Sequence, residues 1–239
     1  MSADAVSATG AVGILGGMGP HATVAFLDQL VQLTPAERDS DHLRLVVDSH
    51  PHIPSRTRHL LYGEASPVPG MIEACRKLAA YPVDFIAVPC NSACGFIDDV
   101  RAAVAVPILD IVEITAQSLV AKHPTVGSCA VIGGHVTYKK QSYRRFLEAA
   151  GVGYVEHDEQ TQTQVEGLIT KIKLLDTGAA VVRSCVEVVD RLRDGYGAES
   201  IILGCTEFGC IDLPAPGVPL VDSSYELARH IVEKVKQDA

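Results

Sequence analysis

Two segments of this chain carry a cysteine in matched surroundings. In AVPCNSACGFI (87–97) an apolar run ends at Cys90, a small polar residue follows, and the next run opens as VPILD. In ILGCTEFGCI (202–211) Cys205 stands at the same place, again followed by a small polar residue, and the next run opens as VPLVD. Pro107 follows Cys90 by 17 residues and Pro219 follows Cys205 by 14. Two thiols on opposite faces of one carbon can invert it. A thiolate removes the proton beside a carboxylate, and a thiol returns one from the other side. Free cysteine titrates near 8.5, so modest help from a helix N-terminus or a cation provides thiolate near neutrality. Asn91, Ser92 and Thr206 stand beside the two thiols, and such residues with free backbone N–H groups are suited to holding a carboxylate.

The remaining cysteines read differently. A lone buried thiol packs as a small hydrophobe, and Cys75, Cys129 and Cys185 lie within helical or strand patterns that fit this role. Cys94 and Cys210 follow the two central cysteines, but their spacings differ from those of common zinc sites and no histidine lies in register, so no metal is expected. Seven cysteines fit a disulfide framework poorly and point to reduced thiols in the cytoplasm.

The elements that must position these thiols alternate. Apolar runs at 11–15, 43–49, 84–90, 106–112, 128–134, 153–157, 200–205 and 218–223 read as strands. Helical spacing fills 22–33, 68–80, 95–103, 113–122, 136–150, 162–175, 179–196 and 225–237. This alternation predicts parallel α/β layers. The repeated cysteine segment predicts two similar halves packed face to face, with the strand ends and both thiols at one cleft. The glycine turn Gly17-x-Gly19-x-x-Ala22 follows the first strand and opens a helix. With Asp48 ending the next strand it matches a relaxed dinucleotide fingerprint, but Met18 and Pro20 inside it favour a tight turn bordering the active site.

Composition narrows the classes. The 239 residues are 47% hydrophobic, enough for a substantial core, and the net charge is −9. That acidic balance argues against a nucleic-acid or anionic-membrane surface, and no apolar run approaches the roughly 20 residues that span a bilayer. Residues 1–9 have neither a basic start nor an apolar stretch, and residues 1–10 are expected to be a disordered leader.

Taken in order, the motifs resemble those of the aspartate/glutamate racemase superfamily, the branch that works without pyridoxal phosphate, and most closely its aspartate and broad-specificity amino-acid racemases. They are Gly16-Gly17-Met18-Gly19-Pro20 with Ala22-Thr23, then Pro51-His52-Ile53-Pro54-Ser55-Arg56-Thr57, Pro89-Cys90-Asn91-Ser92-Ala93, VPILDIVEIT (106–115), and Gly204-Cys205-Thr206-Glu207. The resemblance runs from about residue 11 to about 230. It implies two Rossmann-like parallel-sheet domains related by a pseudo-twofold axis, with the active site between them, no cofactor, and a homodimer. The first domain would comprise 11–114 plus 212–239, its last helix returning to pack on it, and the second 115–211.

Carried over by position, Cys90 and Cys205 would be the acid/base pair. Met18, Asn91, Ser92, Thr137, Lys173, Thr206 and Glu207 would border or bind the substrate, with Lys171 competing for the role of Lys173. Thr137 and Tyr143 stand in a stretch, VTYKKQSY (136–143), that resembles the family's Gly-Thr-x-x-Ser-x-x-x-Tyr region in degraded form. Arg56 would face a side-chain carboxylate, which a planar guanidinium grips with two hydrogen bonds, so the expected partner is an acidic amino acid. The sequence departs from the family at Ser49 (commonly Asn), Ser55 (Asp), Ser92 (Thr), Cys94 (His) and Phe208-Gly209-Cys210 (Ile-Pro-Leu). These changes leave the two thiols intact and bear on which amino acid is preferred. Readings kept beside this one are a same-fold enzyme acting on another acid (maleate isomerase, malonate decarboxylase or hydantoin racemase) and a non-catalytic amino-acid-binding relative.

Overall fold

The computed structural model describes residues 11–215 and 217–237; the leader expected at 1–10 lies outside them. Among the described residues eight strands form two four-stranded sheets, and every ladder is parallel. The first holds β1 (Ala11–Gly16), β2 (Leu45–Ser49), β3 (Val83–Ala87) and β4 (Ile108–Leu109) in the order β2-β1-β3-β4. The second holds β5 (Ser128–Gly133), β6 (Gly153–Val155), β7 (Ile201–Gly204) and β8 (Leu220–Asp222) in the order β6-β5-β7-β8. Counted from its own first strand, the second sheet repeats the order of the first. The central strands are nearly all buried, which is why they read as continuous apolar runs: parallel strands are covered on both faces.

Helices provide the cover. Along the first half run α1 (Pro20–Leu33), α2 (Arg56–Tyr62), α3 (Val68–Ala79), α4 (Asn91–Cys94), α5 (Ile97–Arg101) and α6 (Ile111–Lys122). Along the second run α7 (His135–Lys139), α8 (Arg144–Ala149), α9 (Glu159–Lys173) and α10 (Ala179–Asp190). The last helix, α11 (Ser223–Gln237), returns to pack on α1 and α6. The sequence reading grouped all of 212–239 with the first half. Within that span β8 instead pairs with β7, and only the helix after it crosses back. No helix among the described residues is long and apolar enough to cross a membrane.

The two halves share a core. Ile14, Phe26, Leu30 and Phe85 of the first half form one buried cluster with Val131, Tyr143 and Ile202 of the second and Leu227 of α11. Separate clusters fill the far side of each sheet, around Met71 and Ile86 in one and Ile132 and Ile169 in the other.

Local chemistry accounts for the departures from the predicted elements. The helix expected over 136–150 is broken at Gln141, whose φ is 47°, and the break turns the fully buried Tyr143 into the seam. The strand expected to reach Cys90 stops at Ala87, because Pro89 has no N–H to continue a ladder. The helix expected over 179–196 becomes a single π turn at Arg191–Gly195. Helix α2, absent from the sequence reading, starts at Ser55, whose hydroxyl accepts from the Arg58 N–H, and ends on Gly63 in the left-handed region.

A buried ionic knot holds α11 to α6. Glu226, with 5% of its side chain exposed, accepts from Ser118, Lys122 and Arg229. Burial alone would raise its pKa, but these three donors outweigh it and hold the carboxyl below the ordinary glutamate value of 4.5. The stabilisation is therefore complete above pH 4.5 and is lost as pH falls through the lowered value. Glu226→Ala should cost about 1–3 kcal/mol, since Lys122 and Arg229 can turn to water, and thermal unfolding at pH 7 should show it. The difference from the wild type should shrink as the pH is lowered toward 3.

Candidate active site

In each half the chain leaves its first strand through a glycine turn, and a cysteine follows its third strand, three residues after Ala87 in the first half and directly after Gly204 in the second. β1 and β3 are neighbours, as are β5 and β7. Both cysteines thus sit where the strand order reverses, at the carboxyl edge where parallel sheets bind ligands. The first turn demands glycine. Gly17 has φ 84°, and a Cβ there would lie 2.4 Å from the His50 backbone nitrogen. The Gly17 N–H donates to Thr23 Oγ1 and the Thr23 hydroxyl donates to the Gly19 carbonyl, so the turn and the start of α1 are one unit.

The two halves bring their turns together around a cavity of about 50 Å³. Cys90 and Cys205 both line it and are 5% and 9% exposed. Met18, Arg56, Asn91 and Ser92 border it from the first half, and Lys173, Thr206 and Glu207 from the second. Each cysteine immediately precedes a short helical turn, and neither turn has a side-chain cap at its start. The first N–H groups of such turns have no partner within the turn and point toward the cysteine end.

Hydrogen bonds across the seam hold these loops in register. Tyr143 donates to Asn91 Oδ1, Asn91 Nδ2 donates to Ser223 Oγ at 2.9 Å, and the Ser223 hydroxyl donates to the Leu203 carbonyl at 2.8 Å. The Thr206 hydroxyl donates to the Pro89 carbonyl at 3.2 Å. The side chains of Asn91 and Thr206 are thus engaged in the frame. For a ligand they leave the second Nδ2–H of Asn91, the Thr206 lone pairs and the backbone N–H groups.

A sequence model for Asp/Glu/Hydantoin racemase matches residues 15–231. The chain belongs to this family. It is 30% identical over 229 residues to the broad specificity amino-acid racemase RacX of Bacillus subtilis, covering 92% of this chain and 96% of that one. Among solved structures it resembles the Picrophilus torridus aspartate racemase, with a TM-score of 0.80, 27% identity and 95% of both chains covered. Glutamate racemase isoform RacE1 of Bacillus anthracis shares the fold, with a TM-score of 0.67 at 18% identity, covering 96% of this chain and 83% of that one.

Charge is distributed unevenly in this racemase-family site. Cys205 Sγ donates to Glu207 Oε2 at 2.8 Å. Burial first, and the Glu207 charge second, push the Cys205 thiol well above its usual range; Lys173 and the Glu207 backbone N–H act against them. Desolvation pulls the Lys173 ammonium down, yet Glu207, Cys205 and Cys90 outweigh it and hold its pKa above the ordinary lysine value. Lys173 Nζ lies 3.7 Å from Glu207 Oε1 and its side chain is half exposed. Arg56 donates to the Ile53 and Pro54 carbonyls through Nη1, while its buried Nε has no partner. Glu207 Oε1 is likewise buried without a hydrogen bond. Unmatched polar atoms of this kind are costly in a closed site and are suited to a bound polar ligand.

Of the residues expected to border or bind the substrate, Thr137 lies off the cavity. It is buried, and its methyl packs where a Gly133 side chain would go, as Thr23 packs over Gly16 in the other half. Lys171 borders a separate groove with Leu168 and Glu187, and Lys173 is the lysine that reaches the cavity. Cys94 lies outside it too; burial, then Asp110 and Cys90, push its thiol well up. Ser55 and Thr57 line the cavity without having been chosen, although both sit in the motif around Arg56. Tyr143, which the family resemblance pointed to together with Thr137, and Ser223, which has no local sequence signal, each act on Asn91 from more than 50 residues away.

Removing the Tyr143 hydroxyl would strand Asn91 Oδ1 in a dry seam. Tyr143→Phe should therefore lower stability by about 1–3 kcal/mol, measured by urea unfolding.

Proposed function

We propose that this chain is a cofactor-independent amino-acid racemase that inverts the α-carbon with Cys90 and Cys205 as its two bases. Two thiols from two similar halves border one small closed cavity together with two cations, and this observation carries the reading. One thiolate takes the α-proton; the other thiol delivers a proton to the opposite face. The bond broken is Cα–H on one side and the bond formed is Cα–H on the other, and the two sulfurs exchange protonation states. The charge that develops on the α-carboxylate in the transition state meets the backbone N–H groups that open the turns after each cysteine. Donors fixed in advance and aimed at developing charge are the main source of such stabilisation.

We read the substrate as an acidic amino acid. Arg56 and Lys173 give the cavity two cations against the single carboxylate of Glu207, and the unpartnered Nε–H of Arg56 can donate to a second carboxylate of the substrate. The family membership and the likeness to an aspartate racemase support this reading, and the likeness to a broad-specificity enzyme widens the set of amino acids to be tried. We further read the protein as a cytoplasmic homodimer.

The test is α-proton exchange in deuterated water, followed by NMR, with both enantiomers of a panel of amino acids and no added pyridoxal phosphate. Exchange from both enantiomers is expected, with aspartate or glutamate best. Replacing either cysteine by serine should lower racemisation by at least about a thousandfold, because both proton transfers are required. Arg56→Gln should raise KM for an acidic substrate about tenfold or more while changing that for alanine little. Racemisation, or exchange from both enantiomers, that survives in Cys90→Ser or Cys205→Ser would sink the two-base reading; exchange confined to one enantiomer is what the remaining thiol alone can catalyse.

A further inference from the structure

The two cysteine loops are built alike but their chemistry differs at one position. The second residue after Cys90 is Ser92, and the second after Cys205 is Glu207. Each faces the glycine turn of the opposite half. A side chain on Gly134 would begin 3.4 Å from Ser92 Oγ, and one on Gly19 would begin 3.0 Å from Glu207 Oε1. These two residues therefore occupy equivalent places in a duplicated frame, and one of them is a carboxyl group. Glu207 is 2% exposed, receives the Cys205 hydrogen bond on one oxygen, and keeps the other within 3.7 Å of Lys173 Nζ.

We infer that Glu207 is a positioning residue that breaks the symmetry of the pair: it keeps the proton on Cys205 in the free protein, so that Cys205 starts as the acid and Cys90 as the base. This deepens the two-base reading and rests on it. A thiolate at Cys205 would stand 2.8 Å from a carboxylate oxygen that now accepts its hydrogen, in a site too dry for water to screen the repulsion. Around Cys205 burial and the Glu207 charge outweigh the cations of the neighbouring elements. Glu207 opposes its ionisation; Lys173 on α9 favours it but is shared with Glu207 and with Cys90; Arg56 at the start of α2 is the other cation of the cavity. After a turnover in which Cys90 has taken a proton and Cys205 has lost one, the same repulsion favours return of a proton from solvent to Cys205. Cys90 loses one to solvent, and the resting form is restored with no net change.

The experiment titrates the thiols directly, without substrate. Protein labelled with carbon-13 at the cysteine Cβ reports each thiol by its chemical shift, with the two loop signals assigned from Cys90→Ser and Cys205→Ser. Glu207→Gln removes the charge and keeps the shape. Glu207→Ser copies the equivalent position of the other half and serves as a second, smaller variant. In either, the Cys205 midpoint should fall by about one unit or more, a roughly tenfold rise in thiolate at fixed pH, and the Cys90 midpoint should stay. The alkaline limb of the kcat/KM profile, which reports the thiol that must stay protonated, should move down by the same amount while the acid limb holds. An unchanged Cys205 midpoint, or an equal shift at Cys90, would overturn the assignment. Absence of α-proton exchange from the wild type would overturn the functional reading instead, and the thiol titration tells the two failures apart.

Discussion

The amide of Asn91 is the point on which the site depends. It is buried and grips the second half twice, accepting from Tyr143 and donating to Ser223, which in turn holds the end of β7. The shared core presses the two sheets together, but apolar burial is non-directional and leaves small sliding motions inexpensive. On the proposed two-base reading, two sulfurs reach opposite faces of one carbon and tolerate little sliding, since misplacement of about 1 Å can cost a hundredfold in rate. Directional hydrogen bonds across the seam, with Thr206 on Pro89 as a second clamp, supply the register that the core does not.

A duplicated frame explains how the thiols meet and also why they differ. Both halves use one strand order and one small residue packed by a threonine after the first strand: Gly16 under Thr23 and Gly133 under Thr137. Facing halves then present equivalent strand ends to each other. Once the backbone has provided this near-symmetry, single side chains can individualise the two sides. Glu207 and Lys173 both come from the second half and Arg56 from the first, so the cavity has a built-in polarity. A substrate that is not symmetric needs such polarity to bind in one orientation.

Much of this was legible along the chain. The strand periodicity, the paired cysteine segments and the glycine turn are local, and local patterns survive folding where they agree with burial. Nearly all the residues singled out near the thiols do border one cavity. What misled was also local in origin. The stretch VTYKKQSY falls within a span read as one helix, yet the chain breaks at Gln141, whose φ is 47°, and Tyr143 beyond the break is buried at the seam. Thr137 was chosen by position in a motif, and the structure turns it onto its own strand instead.

The sequence by itself determined the parallel α/β class and the repeat of the two cysteine segments, since these rest on residue type and spacing along the chain. Only the tertiary structure decided which groups share an environment. That Cys205 lies against a carboxyl group, that Lys173 rather than Lys171 reaches the cavity, and that β8 stays with the second sheet while α11 crosses back are outcomes of packing between distant segments. So is the engagement of Asn91 by Tyr143 and Ser223. Burial and charge at a site come from everything around it, and for this cavity the surroundings are drawn from both halves of the chain.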